Sequence, residues 1–193
     1  GGIYVKAKLL LIAALCLFVV AGCTNSGGTN ADTSQGPETK APAKDTLVVA
    51  QNADAATLDP QKQGKMPDMN ILINMFDTLV TRDADNKLAP ALATEWKAVD
   101  DTTWEFKLRD GVKFHNGEPF NADVVKYSID RLLNPETKSP IVELKSVKEV
   151  QVVDPLTVRF ITDGPDPILP NKMTLFGGVM VPPTYIQEKG DDY

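Results

Sequence analysis

The sequence of 193 residues is poor in the side chains that carry most metal and nucleophile chemistry, with one histidine and two cysteines. Both cysteines, Cys16 and Cys23, lie near the N-terminus, so we expect neither a disulfide nor a cysteine metal site in the globular part. His115 lies in a turn between predicted strands, where a hydrogen-bonded turn residue is commoner than a ligand or a base. We therefore predict no catalytic residue, no metal and no cofactor.

The motifs of several common enzyme classes are also missing. The sequence has no phosphate loop, no G-x-S-x-G and no H-E-x-x-H. Residues 83–86 resemble a calcium loop only faintly, because the required glycine and closing glutamate are not in place. The net charge is −6, and no basic stripe is present, which argues against nucleic acid as a partner.

The N-terminus has the features of a bacterial lipoprotein signal. Two lysines precede an unbroken apolar run of 13 residues at 9–21, which is shorter than the roughly 20 residues needed to span a bilayer. Small residues then lead to Cys23 in a sequence that resembles a lipobox, the site of cysteine lipidation. We predict a signal peptide over residues 1–22 and a lipid anchor on Cys23. The alternative is a short transmembrane or buried helix with an incidental cysteine.

A flexible tether is predicted between the anchor and the globular part, at residues 23–45. From residue 24 onward this segment has no Leu, Ile, Val, Met or aromatic residue. Such a sequence buries too little apolar surface to offset the entropy lost on ordering. It would hold a domain near the membrane and let it swing.

Alternation of apolar and charged residues predicts a strand over residues 103–108 with one buried face. The apolar positions of this strand are Trp104, Phe106 and Leu108. Residues 95–99 precede it across an Asp-Asp turn, so the two segments form a predicted hairpin. A second hairpin is predicted from residues 147–153 and 156–162, around an Asp-Pro turn.

A helix over residues 122–133 follows two tight-turn signals, Asp-Gly and Asn-Gly, which flank a short return strand at 112–114. Asn121 stands at the N-cap position of this helix. Further predicted elements are a buried strand at 46–51, a helix capped by Asp68, a strand at 178–181 and a helix from Thr184. Antiparallel hairpins with intervening helices are typical of a mixed α+β fold.

The segment 104–124 has the pattern W-x-F-x-L-R-x-G-V-K-F-H-x-G-x-P-F-x-A-D-V. This pattern resembles the signature of the extracellular substrate-binding proteins of ABC importers for oligopeptides, dipeptides and nickel. Leu-Asp-Pro at residues 58–60 and the segment 88–96 support the resemblance upstream. Three residues fit the continuing helix of the family downstream: Ser128, Ile129 and Arg131. Family members are substantially longer than this chain, so the resemblance implies an N-terminal fragment.

The resemblance implies a partial periplasmic-binding-protein-like fold of type II. Residues 46–75 would open the large, ligand-binding lobe. Residues 76–182 would form a small N-terminal α+β subdomain, and residues 183–193 would return toward the lobe.

The resemblance also implies which residues face the ligand. In the family, the stretch after the Leu-Asp-Pro motif lines the cleft, which here gives Lys65, Met66 and Pro67. Ile141 stands where some members carry a cleft tyrosine. Gly64 stands where some peptide-binding members carry an acidic residue that helps to hold the amino terminus of the ligand, so this mode of recognition is not expected here.

The function implied is that of a lipid-anchored, extracytoplasmic and monomeric substrate-binding component. It would bind oligopeptides or dipeptides and deliver them to a membrane permease, on the periplasmic side where the cell has two membranes. It would be no enzyme. One alternative is a receptor for a nickel chelate or another non-peptide solute. Others are a lipid-anchored surface enzyme and a sensor or adhesin.

Overall fold

A four-stranded antiparallel sheet organises the computed structural model, which describes residues 46–190. The predicted signal peptide, the lipidation site Cys23 and the tether lie outside these residues. All the described elements belong to one unit of the chain, Val48–Tyr193. In the part of the chain that is described, no helix combines the length and the apolar character needed to cross a membrane.

The sheet is built from two hairpins, and both are confirmed. The first pairs β3, Ala93–Asp100, with β4, Thr103–Leu108. The second pairs β5, Val147–Asp154, with β6, Thr157–Thr162. The two hairpins join through β4 and β6, which gives the order β3-β4-β6-β5. A smaller hairpin precedes the sheet and consists of β1, Val80–Arg82, and β2, Leu88–Pro90.

One face of the sheet carries the hydrophobic core. Phe106 and Phe160 are both fully buried on the central strands, with ring centroids 5.2 Å apart in an edge-to-face arrangement. Helix α2, Ala122–Leu133, covers this face with Val125 and Ile129, which are also fully buried. The predicted period of two on β4 is therefore confirmed, since alternate side chains of a strand share one face.

The bounds of α2 follow from local chemistry. The side-chain oxygen of Asn121 accepts a hydrogen bond of 3.1 Å from the backbone N–H of Val124, so the predicted N-cap is confirmed. The helix ends at Leu133, and Pro135 opens a short 3₁₀ turn, Pro135–Thr137. Proline disfavours helical backbone in the residue before it, which explains the stop.

Three shorter helical pieces complete the described structure. Helix α1, Met66–Leu72, lies before the sheet. After the sheet come α3, Leu169–Lys172, a 3₁₀ turn at Phe176–Gly178, and α4, Pro183–Lys189. The predicted final helix is thus confirmed, and Pro183 lies in its first turn, where the missing N–H of proline costs nothing.

Three predicted strands are wrong. Residues 46–51 form no strand, and Leu47, Val48 and Val49 are between 78% and 86% exposed. A strand forms only beside a hydrogen-bonding neighbour. Residues 112–114 cannot extend β4 because both of its edges are taken by β3 and β6, so only a single bridge forms, between Lys113 and Pro119. Within the predicted strand at 178–181, Val179 likewise makes one bridge, to Thr78.

The outer face of the sheet buries a carboxylate that the sequence pattern assigned to solvent. Glu105 on β4 is only 7% exposed, although it lies on the face opposite Phe106. Arg159 donates to its Oε2 at 2.9 Å, and the Lys97 ammonium lies 3.2 Å from its Oε1. The hydrogen bonds from Arg159 and Lys97 lower the pKa of Glu105 below its ordinary value.

Replacing this carboxylate is expected to change stability in a pH-dependent way. A depressed folded-state pKa stabilises the fold above the unfolded pKa, and that contribution disappears as the pH falls through the folded value. The destabilisation by Glu105→Gln should therefore be largest at about pH 7 and should shrink by about pH 3, below the usual glutamate pKa of about 4.3. Urea unfolding at both pH values measures it. Glu149→Gln, at an exposed position of β5, controls for the loss of one charge. Equal destabilisation by Glu105→Gln at both pH values would contradict this expectation.

Candidate functional site

The Leu-Asp-Pro motif folds into a turn that is held by its own polar groups. The backbone N–H of Asp59 donates to the Thr57 hydroxyl oxygen at 3.0 Å. The Asp59 carboxylate then accepts from the N–H of Gln61 at 3.0 Å, and the Asp59 carbonyl accepts from the N–H of Lys62 at 3.1 Å. Because Pro60 fixes its own φ and restricts Asp59, the turn is stiff as well as hydrogen-bonded.

A buried ion pair joins this turn to helix α2. Arg131 donates from Nη2 to Oδ2 of Asp59 at 2.6 Å and from Nη1 to Oδ1 at 3.2 Å. The side chain of Asp59 is 2% exposed and that of Arg131 is 12% exposed. Two parallel bonds between a guanidinium and a carboxylate fix direction as well as distance.

Gln61 extends this network across the helix. Its Oε1 accepts from Nη1 of Arg131 at 2.6 Å, and its Nε2 donates to the carbonyl of Ser128 at 2.7 Å. The hydroxyl oxygen of Ser128 accepts in turn from the backbone N–H of Val181 at 3.1 Å. The fully buried side chains of Gln61 and Ser128 thus connect the early turn, the central helix and the segment before α4.

The far end of the loop is fixed by Asp68, in a role that differs from the predicted one. Asp68 lies in the first turn of α1, and Lys65 occupies the N-cap position. Its buried carboxylate accepts from the backbone N–H of Ala56 at 2.6 Å. The prediction of an Asp68 cap is wrong because the helix begins earlier, with Pro67 in its first turn, where no N–H is needed.

The predicted ligand-facing residues lie on two adjoining segments. Lys65 is exposed, Met66 is 64% exposed and Pro67 is partly buried at the start of α1. A Cβ atom placed on Gly64 would lie 3.5 Å from Cγ of Pro140, so the loop passes directly beside residues 139–141. Ile141 is partly buried and packs against the hydrophobic core.

A groove of about 590 Å³ lies elsewhere, and none of the four predicted ligand residues lines it. It is formed mainly by apolar side chains around the Asn-Gly turn, with His115 at its wall: Leu58, Phe76, Phe114, Phe120, Met180 and Tyr185. Sequence reasoning missed this groove. The available signal was the pair Phe114 and Phe120 on either side of the turn, whose rings pack edge-to-face at 6.5 Å.

Glu118 ties the wall of this groove to α4. Its carboxylate accepts from the backbone N–H groups of Thr184 at 2.9 Å and Tyr185 at 3.1 Å, and from the Asn116 side chain. Burial alone would raise the pKa of Glu118, but these hydrogen bonds outweigh it and hold the pKa below its ordinary value. The carboxylate therefore serves as an N-terminal cap for a helix that is distant in sequence.

A serine, a lysine and an aspartate meet behind the sheet, in an arrangement that binds rather than reacts. The Ser146 hydroxyl donates to Oδ2 of Asp166 at 2.5 Å, and Lys172 forms an ion pair with the same oxygen at 2.5 Å. Trp104 donates from Nε1 to the Asp166 carbonyl at 3.0 Å. These contacts commit the serine proton and the ammonium group to the carboxylate, and they hold α3 against the sheet. No group of three potential metal ligands occurs within residues 46–190.

Comparisons with known proteins connect this fold to solute binding. Residues 87–193 match the model of the bacterial extracellular solute-binding proteins, family 5 middle region. The periplasmic murein peptide-binding protein MppA of Escherichia coli is 36% identical over 97 residues, which are 50% of this chain and 18% of that protein. The periplasmic oligopeptide-binding protein OppA of Salmonella typhimurium is 31% identical over 136 residues, which are 70% of this chain and 24% of that protein.

The structural comparison gives the same result. NikZ from Campylobacter jejuni, solved in complex with Ni(L-His), superposes with a TM-score of 0.68 and 30% identity. The superposition covers 78% of this chain and 30% of NikZ. The chain thus spans less than a third of each of these three proteins.

Proposed function

The chain belongs to the bacterial extracellular solute-binding proteins of family 5, and from this we infer that it is part of the substrate-binding component of an ABC importer. The family match over residues 87–193 carries the inference. Such a component would bind a solute outside the cytoplasm and deliver it to a membrane permease. Binding and release need no bond to be made or broken, so the protein would act without catalysis.

Ligand capture would use closure of two lobes around a cleft. Residues 46–75 would open the ligand-binding lobe, residues 76–182 would form the small subdomain, and residues 183–193 would return toward the lobe. A ligand that binds the closed state more tightly than the open state shifts the population toward closure. The permease would then recognise the closed form.

Short peptides are the proposed ligands, and the loop after the Leu-Asp-Pro turn is the proposed contact surface. Its exposed Met66 offers apolar area, and Lys65 offers a positive charge beside it. Backbone groups of an extended peptide would pair with the protein main chain, and side chains would fill pockets. Pro67 and Ile141 would complete the surface from the two adjoining segments.

A nickel chelate is the second candidate ligand. The likeness to NikZ, which was solved with Ni(L-His), favours it. With a single histidine in the sequence, the protein would bind the metal through the chelating molecule rather than through a cluster of its own histidines.

The proposed location is the outer face of the cell membrane. Lipid on Cys23 would anchor the protein, with residues 24–45 as the tether, and each buried methylene of the lipid would contribute about 0.8 kcal/mol. On the periplasmic side of a cell with two membranes, the same anchor would face the permease.

Uptake by intact cells tests the transport role. We expect deletion of the gene to abolish or strongly reduce uptake of labelled trialanine or of nickel supplied with L-histidine, and re-expression to restore it. Re-expression of a Cys23→Ser variant isolates the contribution of the anchor. Unchanged uptake of both solutes after deletion would contradict the transport role and favour sensing or adhesion.

A further inference from the structure

The loop that follows the Leu-Asp-Pro turn has little apolar surface with which to anchor itself. Residues 61–65 are Gln, Lys, Gln, Gly and Lys. Gln63 is 4% exposed, yet its Oε1 has no hydrogen-bond partner within the described part of the chain. A polar loop of this kind is held in one position only if polar contacts from elsewhere hold it.

Arg131 supplies those contacts from a rigid element. It lies in the last turn of α2, 72 residues away from Asp59 in sequence, and α2 packs on the core of the sheet. Its guanidinium bonds both oxygens of Asp59 and Oε1 of Gln61 at distances of 2.6 to 3.2 Å. The planar group thereby fixes the direction in which the chain leaves the turn toward Lys65 and Met66.

The energetics of buried ion pairs favour a positional role over a purely stabilising one. Desolvation of two charges offsets much of their attraction, so a buried pair adds little net stability compared with apolar residues of the same size. What the pair does provide is a defined geometry. Here that geometry is imposed on the loop whose tip is 64% exposed at Met66.

We propose that Arg131 is a positioning residue for ligand binding: it holds residues 59–67 in the binding conformation through Asp59 and Gln61 and does not itself touch the ligand. The proposal rests on the proposed function, because it assigns residues 65–67 to the ligand. A loop that must be ordered on binding lowers affinity, whereas a loop ordered beforehand does not.

The test compares Arg131→Met with Lys126→Met in the full-length product of the gene. Both substitutions remove a cation from α2, but Lys126 forms an exposed pair with Asp130 on the same helix. The first readout is amide hydrogen exchange in the unliganded protein. The second is the dissociation constant for trialanine and for Ni(L-His), measured well below the unfolding midpoint of each variant.

We expect Arg131→Met to speed exchange in residues 59–67 at least about tenfold, with the strands β4 and β6 unchanged, and to weaken binding by a similar factor. Lys126→Met should match the wild type in both readouts. Asp59→Asn, which keeps the shape of the side chain and removes its charge, should give the same pattern and serves if Arg131→Met does not fold. Arg131→Lys should rescue only partly, because an ammonium cannot bond two carboxylate oxygens in parallel.

The two readouts separate the two ideas. If the wild type binds neither probe, the proposed function fails, and hydrogen exchange alone decides whether Arg131 fixes the loop. If the wild type binds but exchange and affinity are unchanged in Arg131→Met and Asp59→Asn, the positioning role is overturned. Faster exchange throughout the sheet as well as the loop would also overturn it, because Arg131 would then support the whole fold.

Discussion

Replacing Phe160 with alanine is expected to lower the free energy of unfolding by about 3–5 kcal/mol. Phe160 is fully buried on β6, and its ring packs edge-to-face on that of Phe106 at 5.2 Å. The substitution removes apolar contact area and leaves a cavity between the sheet and α2, since strands paired on both sides cannot collapse to fill it. Chemical denaturation followed by circular dichroism measures the loss.

The matched control is Val99→Ala on β3, where the side chain is 46% exposed. A substitution at such a position is expected to change stability by no more than about 0.5 kcal/mol. If Phe160→Ala cost as little as this control, Phe160 would not lie in the core and the described packing of the sheet would be incorrect.

Replacing Gly178 with alanine is expected to cost about 3 kcal/mol, through a clash rather than a cavity. A Cβ atom on Gly178 would lie 2.1 Å from the Met173 carbonyl oxygen and within 2.7 Å of two more of its backbone atoms. The backbone cannot yield easily, because the Gly178 carbonyl accepts from the N–H of Leu79 at 3.0 Å and its N–H donates to Leu175 at 2.8 Å. Thermal and chemical unfolding both report the loss.

Gly164→Ala is the control for this prediction, because a Cβ atom there meets nothing within 4 Å. We expect it to leave stability unchanged or slightly improved, since alanine restricts the unfolded chain more than glycine does. Equal stability of the Gly178→Ala and Gly164→Ala variants would show that the close approach of residues 173 and 178 is not real.

Local patterns predicted those elements whose cause is local. The hairpins β3–β4 and β5–β6 follow from alternation and a turn, and α2 follows from a cap, a helical apolar stripe and a closing proline. The strand predicted at 46–51 failed because its partner is a non-local matter. An apolar run states that a segment can pair but not whether a neighbour is present.

The same distinction applies to the candidate site. Asp59 and Arg131 were both part of the family resemblance, but no sequence pattern shows that residues 72 positions apart form a bidentate pair. Burial of Glu105 was missed for a similar reason, because Lys97 and Arg159 reach it across two neighbouring strands. The predicted contacts Lys65, Met66, Pro67 and Ile141 came from the resemblance alone, and their role in binding stays a prediction.

Native mass spectrometry of the full-length gene product, purified without its lipid, is the most direct test of the solute-binding account. We predict that the protein co-purifies with a series of short peptides, which would also make residues 65–67 the first positions to substitute. A single bound metal chelate or small molecule would keep the receptor role and replace the peptide with the second candidate. An empty protein whose melting temperature is unchanged by trialanine and by Ni(L-His) would contradict the account.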